Sequence, residues 1–495
     1  MTDTEYTLHG GRVIDPETGF DTLADVAIAD GRITEIASTL PAGREAIDAT
    51  GLIVAPGFID LHSHGHSVPA DRMQAFDGVT TTLELEVGVL PVAQWYETQA
   101  SRSRVLNYGA ASAWVAARQT VLSGAPLDGA GTIGRRVADT RWTADVATDA
   151  EVAQIVALTR AGIEAGGLGI GVPNGYVPGS GVKEMVALCE MAADTGRPTY
   201  THVAFTAVDD PRSAIEAYIR IIGYAAATGA HMHICHLNSS SGTDIEQAVR
   251  ILRRAQEVGL PVSTEAYPYG TSSTVISAAF LTDPQYMKRI PKGYESIRLV
   301  RDGHRFSSKE ELVTAQKQDP GQLILTEFLD VDEDPDHSAM LDASVLYPGG
   351  LIASDAMPWI TPEGTFYTGT DWPIPPEMSA HPRSSGTFTR FLRLWARERQ
   401  AVSWLEAIAK CTYYPAQILE KSTDQAKTKG RLQAGMDADV IVFDPNTVAD
   451  MATFEEMTRP AEGMRHVFVN GTPVIRDGAL DTTVAPGRPV RGAIL

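Results

Sequence analysis

The sequence predicts an α/β protein in which parallel βα units, forming a barrel or a doubly wound sheet, are carried between two β-rich chain ends that together make one small β-domain. Three observations predict it. Short apolar runs at 167–172, 199–203, 231–237 and 261–266 alternate with helical stretches at 183–195, 211–228, 244–258 and 387–400, and strand-then-helix spacing of this kind belongs to parallel sheets. Residues 5–56 read as short strands around Gly-containing turns, and the same style returns with ADVIVFDP and RHVFVNGTPVIRDG near the far end. Finally, 495 residues of which 43% are hydrophobic and 21% charged can bury a large core, which excludes disordered, collagen-like and coiled-coil chains.

In chain order, YTLHGGRVID and ADVAIADGRITEIA supply the first strands, and Asp30-Gly31 between two such runs signals a tight hairpin, because a primed turn needs positive φ at both central residues. Asn470-Gly471 gives the same signal at the other end. Residues 275–346 break the βα rhythm with scattered charge, Pro and aromatics, as expected of an insertion or lid over a site. There is no internal repeat.

The balance of 62 acidic against 41 basic residues leaves a net charge of −21. Such a field repels phosphate backbones and anionic lipid, which argues against a nucleic-acid partner. No apolar stretch reaches the roughly 18 residues of a membrane span, and MTDTEYTLHGG lacks the basic start and apolar run of a secretory signal. Cys189, Cys235 and Cys411 are odd in number and far apart, fitting neither a disulfide framework nor a zinc ribbon. A cytoplasmic protein is expected.

Several residues point to metal chemistry. In PGFIDLHSHGH, His62 and His64 follow an apolar strand two residues apart, so they share a face and can grip one ion. GVTTTLELEVG places Glu84 and Glu86 on one strand face, where two buried like charges would be costly without a cation. His202 in PTYTHVAF and His236 in HMHICHLNSSSG each end an apolar run, as ligands at strand ends should. His231 and His233 lie deeper and read as structural, Cys235 faces away from His236 and reads as packing, and His66 is a rim residue. Asp355 ends the run LIASDAMP, placed to accept a proton from a metal-activated water and return it to a leaving group.

The order HxH, acid, His, His, Asp resembles the ligand arrangement of the amidohydrolase superfamily, and the chain is most similar to its zinc-dependent N-acyl-D-amino-acid deacylases, the D-aminoacylases. PGFIDLHSH, EAYPYGTSST (265–274), SDAMP (354–358), HPRSSGTFTRFL (381–392), GMDADVIVFDP (435–445) and VNGTPVIRDG (469–478) carry the resemblance over nearly the whole chain. It implies a (β/α)8 TIM-like, metal-dependent hydrolase barrel at 58–427, a small β-sandwich domain built from 1–57 and 428–495, and an insertion or lid at 275–346. It further implies one or two zinc ions held by His62, His64, Glu86, His202, His236 and Asp355, with Asp355 as the catalytic acid/base. Where the family has a cysteine ligand this sequence reads LELEVG, so Glu86, or else Glu84, would supply that bond, and an oxygen ligand could bridge two ions.

On the substrate side the resemblance points to Tyr176, Asn238, Tyr267 and Arg383. Asn238 stands where the family carries a basic residue, and Ala204 where it carries arginine. The activity implied is deacylation of small N-acyl-D-amino acids or related N-acyl amines, with room for a homo-oligomer. A hydrolase of cyclic amides, imides or other carboxylate-free amides is the rival suggested by Asn238 and Ala204; an inactive scaffold is the rival of another class.

Overall fold

The computed structural model describes residues 4–129 and 139–494. Its centre is an eight-stranded parallel sheet whose strands follow one another in chain order: Phe58–Asp60, Val79–Val89, Asn107–Ala113, Ile170–Pro173, Thr199–His202, Met232–Ile234, Val262–Ala266 and Leu351–Ile352. The last strand returns to the first: Ser63 bridges Ala356 in parallel, and the His64 amide donates to the Ala356 carbonyl at 2.7 Å. The sheet thus closes into a (β/α)8 barrel. Its strands are buried almost throughout, as expected where helices cover one face and the bore fills with side chains from the other.

The surrounding helices include Val68–Phe76, Asp149–Glu164, Val182–Thr195, Ala214–Thr228 and Ile245–Glu257. Three of the four helices expected from apolar spacing form close to the expected limits. The fourth, 387–400, is an α-turn at Phe388–Phe391 that widens into a π-helix at Leu392–Glu398. There Phe391 stacks on Trp395 at 5.9 Å, and Trp395 Nε1 donates to Asp342 at 2.8 Å. Tertiary anchoring of this kind leaves no trace in periodicity.

Strands from both chain ends form a second, mostly antiparallel sheet of nine strands. Its seam joins Ile53–Pro56 to Val440–Phe443, antiparallel, with Ile53 opposite Phe443 and Pro56 opposite Val440. Asp30 and Gly31 have φ of 51° and 74°, and Asn470 and Gly471 have 49° and 80°, so both hairpin turns have the expected hand. The two tips also touch. A Cβ on Gly471 would lie 2.7 Å from the Gly31 Cα, so glycine is needed for close approach as well as for φ. Asp439 fastens this sheet to the barrel, accepting from the Asn470 amide at 2.7 Å, from Asn107 Nδ2 at 3.0 Å and from Lys429 Nζ at 2.6 Å.

Between the seventh and eighth barrel strands stands a small antiparallel sheet of Thr271–Val275, Leu323–Glu327 and Ile297–Leu299. Its first strand starts at Thr271, ahead of the expected residue 275. No helix among the described residues is long and apolar enough to cross a membrane.

The helix Val68–Phe76 is locked to the barrel by a buried ion pair. Asp71 accepts from Arg104 Nε at 2.7 Å and Nη2 at 2.6 Å, and from the Val105 amide at 3.0 Å. Removing one partner of such a pair strands the other charge in the core. Arg104→Met is therefore expected to cost about 3–5 kcal/mol, read as a lowered melting temperature. Arg254→Met, at an exposed pair with Glu257, should shift it little.

Candidate metal centre

The bore opens at the carboxyl ends of the strands, where His62, His64, Glu86, His202, His236 and Asp355 converge although they come from five separate strand ends. Glu86 is the hub. Its Oε2 lies 3.2 Å from His62 Nε2 and 3.5 Å from His64 Nε2, while its Oε1 lies 2.9 Å from His236 Nε2 and 3.1 Å from His202 Nδ1. Asp355 Oδ1 faces the first pair, 3.4 Å from each of His62 Nε2 and His64 Nε2. Glu86 thus offers one oxygen to each of two histidine pairs, and Asp355 completes one of them.

Glu84 and Glu86 share a strand face, yet they do different things. Glu84 accepts from His64 Nδ1 at 3.0 Å, on the outer side of that ring. The pattern repeats around the site: Glu265 accepts from His62 Nδ1 at 2.5 Å, and Ser240 Oγ meets His236 Nδ1 at 2.9 Å. Each of these rings has its Nδ1 occupied from outside and its Nε2 turned inward. His202 is reversed, with Nδ1 inward and a buried Nε2 that has no hydrogen-bond partner.

The backbone is bent to bring these groups in. His236 and Asp355 have φ of 40° and 50°, the left-handed region that non-glycine residues seldom enter. Such conformations persist where surrounding contacts over-determine them, and they gather at functional sites. Behind Asp355, Ser354 ties the last barrel strand to the first: its amide donates to Asp60 at 3.0 Å and its hydroxyl to the same carboxylate. Burial pushes the Asp60 carboxyl up to about 6, against the hydrogen bonds from Ser354 and His62.

Electrostatics keep the inward acids charged. Burial opposes ionisation of Glu86, but His62, with the hydrogen bonds of His202 and His236, outweighs it and holds the carboxyl well below its usual range. Burial likewise opposes Asp355, and Arg383 and His62 outweigh it to hold that carboxyl low. Arg383 Nη2 stands 2.8 Å from Asp355 Oδ2.

The donor set fits a divalent cation. His62 Nε2 and His64 Nε2 are 3.2 Å apart, and His202 Nδ1 and His236 Nε2 are 3.1 Å apart. Ring nitrogens that close, beside ionised carboxylates and away from water, need a shared proton or a shared cation between them. Mixed imidazole and carboxylate donors suit zinc. The sets His62–His64–Asp355 and His62–Glu86–His236 each gather their donor atoms within 4.8 Å.

A cavity of about 620 Å³ opens onto the cluster, lined on the site side by His64, Glu86, His202, His236 and Asp355 and outward by Val87, Val115, Trp142, Phe280 and Tyr286. Tyr176 lines it too, its ring 4.9 Å from that of His202 and its hydroxyl 2.8 Å from Thr274 Oγ1. The other expected substrate residues stand differently. Asn238 is turned away, its amide nitrogen donating to the carbonyls of Tyr267 and Tyr269, and it does not line the cavity. Tyr267 and Arg383 are not among the residues lining it either; Arg383 pairs with Asp355, its guanidinium 4.6 Å over the Tyr267 ring. Arg383 Nε and Nη1, the Tyr267 hydroxyl and the Ser273 hydroxyl are all buried without partners.

His66 holds the Ser63 carbonyl at 2.7 Å. Cys235 is buried within an apolar cluster that includes Leu83, Leu85 and Tyr200, and burial pushes its thiol well up. Sequence reasoning missed Glu265, Ser240, Asp60 and the outer role of Glu84. For Glu265 a signal existed: Ser263 and Glu265 are two apart, as are His231 and His233, so both pairs obey the strand alternation that puts a side chain on the bore.

A profile described as the amidohydrolase family matches residues 45–475. The chain belongs to the amidohydrolase family. It is similar to the N-acyl-D-glutamate deacylase of Alcaligenes xylosoxydans xylosoxydans, with 27% identity over 98% of this chain and 96% of the relative. The D-aminoacylase of the same organism is 26% identical, over 96% and 95% of the two chains. Among solved structures, the fold is shared with the N-acyl-D-glutamate deacylase from Bordetella Bronchiseptica in complex with zinc and a phosphonate inhibitor, at TM-score 0.75 and 24% identity over 99% and 100% of the chains. A crystal structure of D-aminoacylase gives 0.76 at 22%, over 99% and 100%.

The geometry separates the two glutamates experimentally. Glu86→Gln should remove most of the bound metal, as measured by elemental mass spectrometry. Glu84→Gln, one ring removed from the cluster, should retain metal with an affinity reduced about 10–100-fold.

Proposed function

We propose that this protein is a zinc-dependent amide hydrolase that deacylates N-acyl-D-amino acids. The observation that carries the reading is the convergence of four histidines on Glu86 with Asp355 at the edge of the same cluster. Support comes from the relatives, which are named N-acyl-D-glutamate deacylase, D-aminoacylase and N-acyl-D-aspartate deacylase, and from the zinc and the tetrahedral-intermediate mimic named for one solved neighbour.

His62, His64 and Asp355 would hold one cation and His202 and His236 a second, with Glu86 offering an oxygen to each. Zinc there supplies Lewis acidity, lowering the pKa of a water and polarising an amide carbonyl. Asp355 accepts the proton of the attacking water at its carboxylate, which Arg383 and His62 keep ionised for the purpose. It then gives that proton to the amide nitrogen, since an unprotonated amine is a poor leaving group. Tyr176 borders the space where the scissile bond must lie, and Phe280, Trp142 and Val115 give the outer cavity an apolar wall.

Ser273, whose buried hydroxyl has no partner, borders the cavity and is suited to donate to the substrate α-carboxylate, whereas Arg383 acts through its ion pair with Asp355. The cyclic-amide reading loses its motive. Asn238 faces backbone carbonyls, and Ala204 borders a separate small pocket of about 20 Å³, so neither residue's lack of charge bears on what the main cavity accepts. The three cysteines are free and buried, which supports a reducing, cytoplasmic compartment.

Asp355→Asn is expected to lower kcat by about 10²–10⁴-fold while part of the metal stays bound; full turnover in that variant would remove the role. Arg383→Met, which breaks the ion pair with Asp355, should lower kcat on N-acyl-D-amino acids and on their α-amides alike. A panel of N-acyl-D- and N-acyl-L-amino acids and cyclic imides tests the substrate class: equal rates on all three would sink it.

A further inference from the structure

Below the cluster, a line of hydrogen bonds runs down the bore from His62. Glu265 Oε1 meets His62 Nδ1 at 2.5 Å, and Glu265 Oε2 meets His233 Nε2 at 3.0 Å. His233 Nδ1 lies 2.8 Å from Ser263 Oγ, and the same hydroxyl lies 2.8 Å from His231 Nε2. The parallel register produces this line. His233 stands opposite Ser263 in the ladder, and period-two alternation puts His231 and Glu265 on the same face as these two.

The line fixes its own protons. An ionised carboxylate only accepts, so His62 Nδ1 and His233 Nε2 both carry hydrogen. With neutral rings, His233 Nδ1 is then an acceptor and takes the Ser263 hydroxyl proton, which leaves Ser263 Oγ to accept from His231 Nε2–H. His231 Nδ1, the bare nitrogen under this scheme, is buried and has no partner. Every donor in the line meets one acceptor.

We propose that Glu265 is a positioning residue which, gripped on its far side by His233, holds His62 by a hydrogen on Nδ1 and so turns its Nε2 toward Glu86, His64 and Asp355. A carboxylate is required at this position because two rings donate to it; a glutamine has one acceptor oxygen and would have to point its NH₂ group at one of them. What Nε2 is presented for rests on the metal-dependent reading above, whereas the hold of Glu265 on Nδ1 does not.

Two measurements test it. In the unaltered, metal-free protein labelled with ¹⁵N-histidine, long-range ¹H–¹⁵N NMR, with His62 assigned through His62→Gln, should show hydrogen on Nδ1. A bare Nδ1 would overturn the proposal. In Glu265→Gln with an unchanged melting temperature, zinc affinity measured by chelator competition should fall about 10–100-fold; unchanged affinity would overturn it as well. If that variant does not fold, the NMR result on the unaltered chain decides. If the native protein binds no zinc, the metal reading fails while the NMR result still decides the positioning role.

Discussion

At the mouth of this barrel two ionised carboxylates stand among four imidazole rings, all of them buried. In such surroundings two unit charges 4 Å apart interact by about 4 kcal/mol at an effective dielectric near 20, and each unpaired buried ion costs several kcal/mol in lost hydration. A fold can keep these groups only by compensating them. Glu86 does so by dividing its oxygens between two histidine pairs, and Asp355 by leaning on Arg383. The need for that compensation governs what the surrounding chain is allowed to be.

Its effects reach outward in order. On three of the four rings the outward nitrogen is occupied, by Glu84 on His64, by Ser240 on His236 and by Glu265 on His62. The side chains must meet at one place, so His236 and Asp355 take backbone conformations that the sequence alone would not favour. The strand ends must hold still, so Ser354 ties the last barrel strand to Asp60 of the first.

This ordering explains what could be read in the sequence. Strand ends bearing His62, His64, His202, His236 and Asp355 were legible because each group sits beside an apolar run and alternation fixes its face. The hairpins at Asp30-Gly31 and Asn470-Gly471 were legible because their backbone demands particular residues. The choice between Glu84 and Glu86 was not, since both share a face and only the depth of each along the strand separates the outer ring contact from the inner one. Glu265 and His62 are 203 residues apart, and no local pattern joins them. Arg383 was read as a carboxylate fork, but its hold on Asp355 depends on a turn 28 residues earlier whose bend appears only in three dimensions. His233 read as structural because a histidine within a strand looks the same whether it packs or holds another side chain.

The seam between Ile53–Pro56 and Val440–Phe443 has a consequence for synthesis. A chain emerging from the ribosome can fold its first hairpins at once, but the strand Ile53–Pro56 keeps one bare edge until Val440 has been made. Through most of translation the nascent protein carries a sticky β-edge beside a half-built cylinder. The order of assembly, more than the final stability, is where this architecture calls for chaperone protection.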